Sequence, residues 1–164
     1  MQQSTPAFLL FTAILLLFGC TTNAVFEKNT EIIDGQWQYS YVPVFEPEIS
    51  DTTARYNLFI NIRHSNDYAY NNMWVIVHTT LPSGKKMERR VELPLADKQG
   101  KWYGKDSGSL INQQVAIQSN AIMPEIGKYK FEVEQNMRIN PLPYVMSVGL
   151  TIEKALPTKA TNSK

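Results

Sequence analysis

The chain has 164 residues, of which 43% are hydrophobic, and its 16 lysines and arginines nearly balance its 15 aspartates and glutamates, for a formal net charge of +1. This balance, with the two signs interspersed, argues against nucleic acid as a partner. The single cysteine excludes an internal disulfide. The apolar content is sufficient for the core of one domain of ordinary size.

The N-terminal segment has the outline of a bacterial lipoprotein signal peptide. Residues 1–19 carry no charged side chain, and residues 7–18 form an apolar run that ends in Leu17-Phe18-Gly19-Cys20. A run of about 12 residues is too short to span a bilayer stably but long enough for the central region of a signal peptide. We therefore predict a signal peptide over residues 1–19 and lipidation of Cys20. The alternatives are a secretory signal that is cut elsewhere and an uncleaved anchor.

Residues 20–34 are predicted to be the acylated cysteine and a polar tether that lifts the domain off the lipid surface. The acyl chains, and not a basic patch, would hold the protein to the membrane. No acidic residue directly follows Cys20, whereas an aspartate there favours retention in the inner membrane of diderm bacteria. We therefore expect the outer membrane, with the leaflet left open.

From Gly35 onward, segments with the two-residue periodicity of β-strands recur at short spacing. They cover residues 37–45, 55–64, 72–81, 87–95, 101–103, 112–118, 128–138 and 145–154. Turn-forming residues separate them. About eight strands predict an all-β domain over residues 35–154, an antiparallel β-sandwich, and a jelly-roll order is compatible with this length. Residues 155–164 are expected to form a disordered tail.

Two segments indicate which side chains face the core. In the first, Tyr56, Leu58, Ile60 and Ile62 alternate with Asn57, Phe59, Asn61 and Arg63. In the second, Tyr129, Phe131, Val133, Gln135 and Met137 alternate with Lys128, Lys130, Glu132, Glu134 and Asn136. Because successive side chains of a strand point to opposite faces, each strand is predicted to have one buried and one solvated face.

The sequence shows none of the usual catalytic or metal-binding motifs, such as a phosphate loop, a nucleophile elbow, a His-Glu-x-x-His segment or a cysteine pair. His64 and His78 lie on separate strand ends without a nearby acidic cluster, so we predict no metal site. Glu132 and Glu134 would face solvent on one strand, whereas glycosidase carboxylates flank a cleft. We therefore expect no catalytic residue and no cofactor.

Aromatic and amide side chains concentrate near the predicted loops, namely Tyr68, Tyr70, Asn71, Asn72, Trp74, Trp102 and Tyr103. Such residues can fill and close a sandwich core, contact a protein, or stack on sugar rings, so surface glycan binding is an alternative function. Arginine and tyrosine are enriched at binding hot spots. The partner-binding candidates are therefore Arg63, Tyr68, Tyr70, Asn72, Trp102 and Arg138. We expect the loop 66–72 to make the contact, with Arg63 at its base.

Four stretches together resemble the GldH gliding-motility lipoproteins of the Bacteroidetes. They are Arg63-His64-Ser65-Asn66-Asp67-Tyr68-Ala69-Tyr70-Asn71-Asn72, Gly100-Lys101-Trp102-Tyr103-Gly104, residues 127–138 and Val148-Gly149-Leu150. The most specific part is Glu134-Gln135-x-Met137-Arg138, which follows Gly-x-Tyr-x-Phe. The resemblance spans nearly all of the chain after the predicted signal peptide.

This resemblance implies an acylated envelope protein required for surface gliding, a process tied to the type IX secretion apparatus, and it implies no catalytic residue. Together with the binding residues above, it predicts a lipid-anchored, non-enzymatic accessory component. Its partners would be other envelope proteins of the gliding or secretion machinery.

Overall fold

The computed structural model describes residues 23–156, which form two large packed β-sheets and two small two-stranded sheets. The strands are β1 (Ala24–Glu31), β2 (Gln36–Trp37), β3 (Val44–Phe45), β4 (Glu48–Ile49), β5 (Arg55–Ser65), β6 (Asn72–Thr80), β7 (Lys86–Pro94), β8 (Lys105–Ser107), β9 (Leu110–Ile122), β10 (Gly127–Lys128), β11 (Lys130–Gln135), β12 (Leu142–Pro143) and β13 (Val145–Lys154). The two small sheets pair β4 with β10 and β2 with β12. A short 3-10 helix, Ile33–Gly35, follows β1. In this part of the chain no helix has the length and hydrophobicity needed to cross a bilayer. The predicted signal peptide and Cys20 lie outside the described residues, as do residues 157–164.

The two large sheets have the strand order of a jelly roll. The larger sheet runs β1-β13-β5-β9-β8 and the smaller runs β3-β11-β6-β7, with antiparallel pairing throughout. If β1, β3, β5, β6, β7, β9, β11 and β13 are counted from one to eight, the sheets read 1-8-3-6 and 2-7-4-5. This is two interleaved Greek keys. The predicted all-β antiparallel sandwich is confirmed.

The core lies between the sheets and is built from the predicted alternating faces. On β5 the inward residues are Tyr56, Leu58, Ile60 and Ile62; on β11 they are Phe131, Val133 and Gln135; on β13 they are Val148, Leu150 and Ile152. Residues between these positions on β5 and β11 are half-buried or exposed. Because the outward residues of β5 include Asn57, Asn61 and Arg63, the larger sheet has a largely polar outer face.

The sandwich has two distinct ends. At the proximal end β1 begins and β13 finishes, and the backbone N–H of Lys154 donates to the carbonyl of Asn23 at 3.1 Å. At the distal end β5, β7 and β11 finish and the longest loops begin. Since β5 has 11 residues, the two ends are about 35 Å apart.

Three predicted segments are wrong in their boundaries. Residues 24–31, predicted as tether, form β1, which pairs with β13 along its length, so the domain begins before residue 35. The sequence did not predict this strand because residues 24–31 contain few apolar side chains. Residues 37–45 form two short strands, β2 and β3, separated by a turn, and residues 101–103 contribute only a bridge between Ala96 and Trp102.

A buried amide fastens the distal end. The Nε2 of Gln135 donates to the carbonyls of Ile139 at 3.2 Å and Trp37 at 3.4 Å, and its Oε1 accepts the N–H of Met137 at 3.0 Å. The Met137 sulfur in turn accepts the N–H of Trp74 at 3.2 Å. Buried polar groups need such partners, so the Gln135-x-Met137 pattern has a structural role.

We predict that Phe131→Ala nearly unfolds the domain. Phe131 is buried on β11, and truncating a buried phenylalanine costs about 3 to 5 kcal/mol of a total stability of about 5 to 15 kcal/mol. Lys130→Ala is the matched control, since its exposed pair with Glu132 is worth at most about 1 kcal/mol. Urea denaturation measures both; equal midpoints for the two variants would contradict the assignment of the faces.

Candidate functional site

The six predicted binding residues all lie at or near the distal end, but they do not form one surface. Arg63, Arg138 and Tyr70 are exposed, the last by 39%. Asn72 and Trp102 are half-buried, and Tyr68 is 4% exposed. The six residues therefore divide into exposed side chains that could reach a partner and side chains that close the core.

The loop after β5 folds back over the end of the core. The hydroxyl oxygen of Ser65 accepts the N–H of Asp67 at 3.0 Å, and the Ser65 carbonyl accepts the N–H of Tyr68 at 3.1 Å, which makes a tight turn. The turn directs Tyr68 inward, where its hydroxyl donates to the carbonyl of Asn72 at 3.1 Å. Tyr68 thus closes the core, and burial raises the pKa of its hydroxyl.

His64 is a central residue of this end, although the sequence indicated only a histidine at a strand end. It is fully buried, with its ring 5.4 Å from the ring of Tyr68 and 4.5 Å from that of Trp102. Its Nδ1 lies 2.9 Å from the Ser65 carbonyl, which can only accept, so Nδ1 carries the proton. Its Nε2 has no partner among the described residues. Burial lowers the pKa of His64, which is therefore neutral at neutral pH.

Arg63 does not support the loop 66–72, contrary to the expectation from the sequence. It lies on the face of β5 opposite to His64, because neighbouring residues of a strand point to opposite sides. Within residues 23–156 neither Arg63 nor Arg138 has an ion-pair partner within 4.0 Å. Both guanidinium groups are therefore available to a partner or ligand.

Exposed tyrosines cluster at the distal end, and most of them lie outside the predicted loop 66–72. Among the described residues, the exposed tyrosines are Tyr39, Tyr41, Tyr70, Tyr103 and Tyr144, each between 39% and 61% exposed. All five belong to distal loops. Tyr39 and Tyr41 were missed because the sequence predicted a continuous strand there, although the Tyr-x-Tyr spacing beside Pro43 was a usable signal.

The outer face of the larger sheet carries a groove of about 1110 Å³. Its lining includes Asn29, Asn61 and Gln114 on the floor and Tyr103 at the rim. These residues come from β1, β5, β9 and the loop before β8. No short sequence motif could have shown this site, because it is assembled from four distant parts of the chain.

The outer face of the smaller sheet holds the second histidine between carboxylates. The Nδ1 of His78 lies 3.3 Å from Glu88, and its Nε2 lies 3.0 Å from Glu134. The sequence shows no acidic cluster near His78, whereas the structure brings one carboxylate from β7 and one from β11 to its ring. The two carboxylates contact opposite ring nitrogens and do not converge on one point. In residues 23–156 no group of three or more His, Cys, Asp or Glu side chains is arranged to hold a metal ion.

The aromatic residues that suggested a sugar platform do not form one. The guanidinium of Arg90 covers the ring of Trp74 at 4.1 Å, Trp102 packs edge-on against His64, and Tyr68 is buried. Only Tyr70 and Tyr103 of the original aromatic group are well exposed. Glycan binding by those loop aromatics acting together is therefore not supported.

We predict that the buried His64 makes folding stability depend on pH. An unfolded histidine titrates near pH 6.5, and the folded-state pKa of His64 is lower. The unfolded state therefore binds more protons as pH falls below about 6.5, so stability is retained above that pH and lost as pH falls toward the folded-state pKa. The thermal midpoint should drop between pH 7.5 and pH 5. His64→Asn keeps a donor but does not titrate, and it should show a smaller drop; an equal drop in both proteins would rule out His64 as the cause.

The amino-acid sequence matches known proteins along nearly the whole chain. A family model described as GldH lipoprotein matches residues 24–152. The chain is 30% identical over 162 residues to a gliding motility lipoprotein GldH homolog from Christiangramia forsetii, covering 94% of this chain and 99% of that protein. It is 28% identical over 153 residues to the gliding motility lipoprotein GldH of Flavobacterium johnsoniae, covering 89% and 94%.

Among solved structures, the VP2 subviral particle of infectious bursal disease virus is similar at 14% identity, with a TM-score of 0.34, over 80% of this chain and 30% of that chain. This similarity is too low to carry an argument. The sequence matches, in contrast, cover both the first strand and the last, and they include the motifs that suggested the family. The chain belongs to the GldH family of gliding-motility lipoproteins.

Proposed function

We propose that this protein is a lipid-anchored, non-enzymatic accessory component of the gliding machinery that binds other envelope proteins through its distal end. The family supports a lipoprotein role in gliding motility at the cell envelope. The observation that supports docking at the distal end is the position of the exposed tyrosines, which among the described residues all lie there. Tyrosine and arginine are among the side chains enriched at protein-binding hot spots.

The anchor determines which end of the sandwich is free. Three residues separate Cys20 from Ala24, where β1 begins, so an acylated Cys20, four residue steps away, would lie at most about 14 Å from the proximal end. The distal end is about 35 Å farther along the strands. The exposed tyrosines would therefore face away from the lipid.

The proximal end has side chains suited to a lipid surface. Ile122 is 55% exposed and Ile126 is 68% exposed, and both lie at the end where the chain would be anchored. Apolar side chains of this kind bind the boundary between headgroups and acyl chains. This placement supports the orientation in which the proximal end rests on the membrane.

Contacts within the domain hold two of the exposed distal tyrosines in place. The hydroxyl of Tyr39 donates to the carbonyl of Met137 at 2.6 Å, and its backbone N–H donates to the Oδ1 of Asn140 at 2.9 Å. Tyr70 packs edge-on against the ring of Tyr68 at 5.6 Å. Rigid aromatic side chains lose little conformational entropy when a partner covers them.

Binding, and not catalysis, is the role that the titratable side chains support. His64 is enclosed in the core, and His78 is held between two carboxylates on a sheet face.

For the membrane, we propose the outer membrane, because Thr21 and not an aspartate follows Cys20.

We predict that Cys20→Ser releases the protein into the soluble periplasmic fraction, because the thiol is the point of acylation. Mass spectrometry should find an acylated Cys20 at the N-terminus of the wild-type protein. Thr21→Ser is the matched control and should stay with the membrane. If the serine variant is cleaved yet still sediments with membranes at high salt, lipid anchoring through Cys20 is contradicted.

We predict that replacing exposed distal tyrosines removes protein partners without unfolding the domain. The Tyr41→Ala, Tyr70→Ala double variant should keep its thermal midpoint and lose most crosslinked envelope proteins in intact cells. Ile126→Ala removes exposed apolar surface at the proximal end, and it should keep those partners. Tyr68→Ala should instead lower the midpoint by several degrees, because Tyr68 closes the core.

Two results would count against distal docking. The first is unchanged recovery of crosslinked proteins in the double variant. The second is loss of the same partners in Ile126→Ala, which would move the docking surface to the other end of the sandwich.

A further inference from the structure

The outer face of the larger sheet is organised into rows of polar side chains. The strand register aligns Asn29, Asn61 and Gln114 in one row, with Gly149 between the first two. The next row toward the distal end consists of Glu31, Ser147, Arg63, Asn112 and Lys105. These rows run across the strands along the floor of the 1110 Å³ groove. From this arrangement we infer that the groove is a binding site for a neutral oligosaccharide.

The floor of the groove is rigidly built. A Cβ at Gly149 would lie 2.7 Å from the carbonyl of Lys28 and would collide with the side chain of Asn29, so glycine leaves the space that Asn29 occupies. The Nδ2 of Asn61 donates to the Oδ1 of Asn29 at 3.1 Å and to the hydroxyl of Thr151 at 2.8 Å. These contacts hold two amides in fixed positions on the sheet.

Much of the hydrogen-bonding capacity of the groove is unused. The side chains of Arg63, Gln114 and Ser147 make no hydrogen bond to another side chain or backbone group in residues 23–156. Their guanidinium, amide and hydroxyl groups lie close together in the groove. A small number of polar groups placed in this way gives a ligand site its specificity.

The rim offers a surface for stacking. Tyr103 is 61% exposed and lines the groove. It is brought there by Gly104, at which a Cβ would lie 2.7 Å from the carbonyl of Asn112, so that only glycine lets this loop lie directly against β9. A tyrosine ring at the edge of a row of amides can stack on the apolar face of a sugar while the amides bind its hydroxyl groups.

The geometry favours a sugar over a peptide or a phosphorylated ligand. An extended peptide binds by pairing with an unpaired strand edge, whereas the floor of this groove lies across β13, β5 and β9, which are each paired with a neighbour on both sides. The lining contains the carboxylates of Glu27, Glu31 and Asp34 as well as Arg63 and Lys105, so a strongly anionic ligand would be repelled. Side-chain donors and acceptors in alternation suit hydroxyl groups, which both donate and accept.

The volume indicates a ligand of several sugar rings. Sites for drug-sized molecules measure about 300 to 1,000 Å³, and the groove exceeds that range. The groove shares Tyr103 with the exposed distal tyrosines, but Tyr41 and Tyr70 lie outside it, so the two proposals are tested with different substitutions.

The experiment is isothermal titration of the full-length protein in a detergent without a sugar headgroup. The probes are cellohexaose, maltohexaose and chitohexaose, which are neutral and differ in linkage and substituents. At least one should bind with a Kd below about 1 mM. Arg63→Ala, Gln114→Ala and Tyr103→Ala should each weaken binding roughly tenfold, the effect of losing one good polar or stacking contact. Lys130→Ala, which changes an outward side chain of β11 on the other sheet, should bind like the wild type.

Thermal melts of each variant confirm that its fold is retained, since all three side chains are substantially exposed or on the outer face. No binding of any of the three probes below about 1 mM would overturn the proposal. Binding that survives all three groove substitutions would overturn it as well, because the sugar would then occupy another site. Loss of crosslinked proteins in Arg63→Ala and Gln114→Ala, without sugar binding by the wild type, would assign the groove to a protein partner.

Discussion

The register between β5 and β13 is the constraint on which both the core and the outer groove depend. Val148, Leu150 and Ile152 lie opposite Ile62, Ile60 and Leu58, so the apolar side chains of the two central strands point the same way. A bulge between Val145 and Ser147 lets Val145 also face inward, although it is three residues from Val148. Because side chains alternate with a period of two, a slip by one residue would expose the whole apolar row and bury the amides of the groove.

The long strands could be predicted from sequence because their two faces differ in polarity. Tyr129, Phe131 and Val133 alternate with charged residues, and this pattern is independent of which strand pairs with which. The edge strand β1 could not be recognised in the same way, because Ala24–Glu31 contains few apolar residues and derives its structure from pairing with β13. Long-range pairing overrode the local polar composition, as often happens at sheet edges.

The site residues were only partly predictable for a related reason. The sequence shows that Tyr68 and Tyr70 are two residues apart, but it does not show that the turn at Ser65 sends one into the core and leaves the other at the surface. His64 and Arg63 are adjacent in sequence and serve opposite faces of the sheet. The groove brings together residues as far apart as Asn29 and Ser147, so its existence depends on strand order, which a single sequence does not contain.

The hydrogen bond between Lys154 and Asn23 has a practical meaning for studies of this family. It places both ends of the described domain side by side at the proximal end, so a fluorescent protein or affinity tag fused after Leu156 would lie beside the start of β1. Such a fusion would leave the tyrosine-bearing loops unobstructed. A label intended to report on events at those loops would have to be inserted internally, for example in the turn over Gln99 and Gly100, which are both exposed.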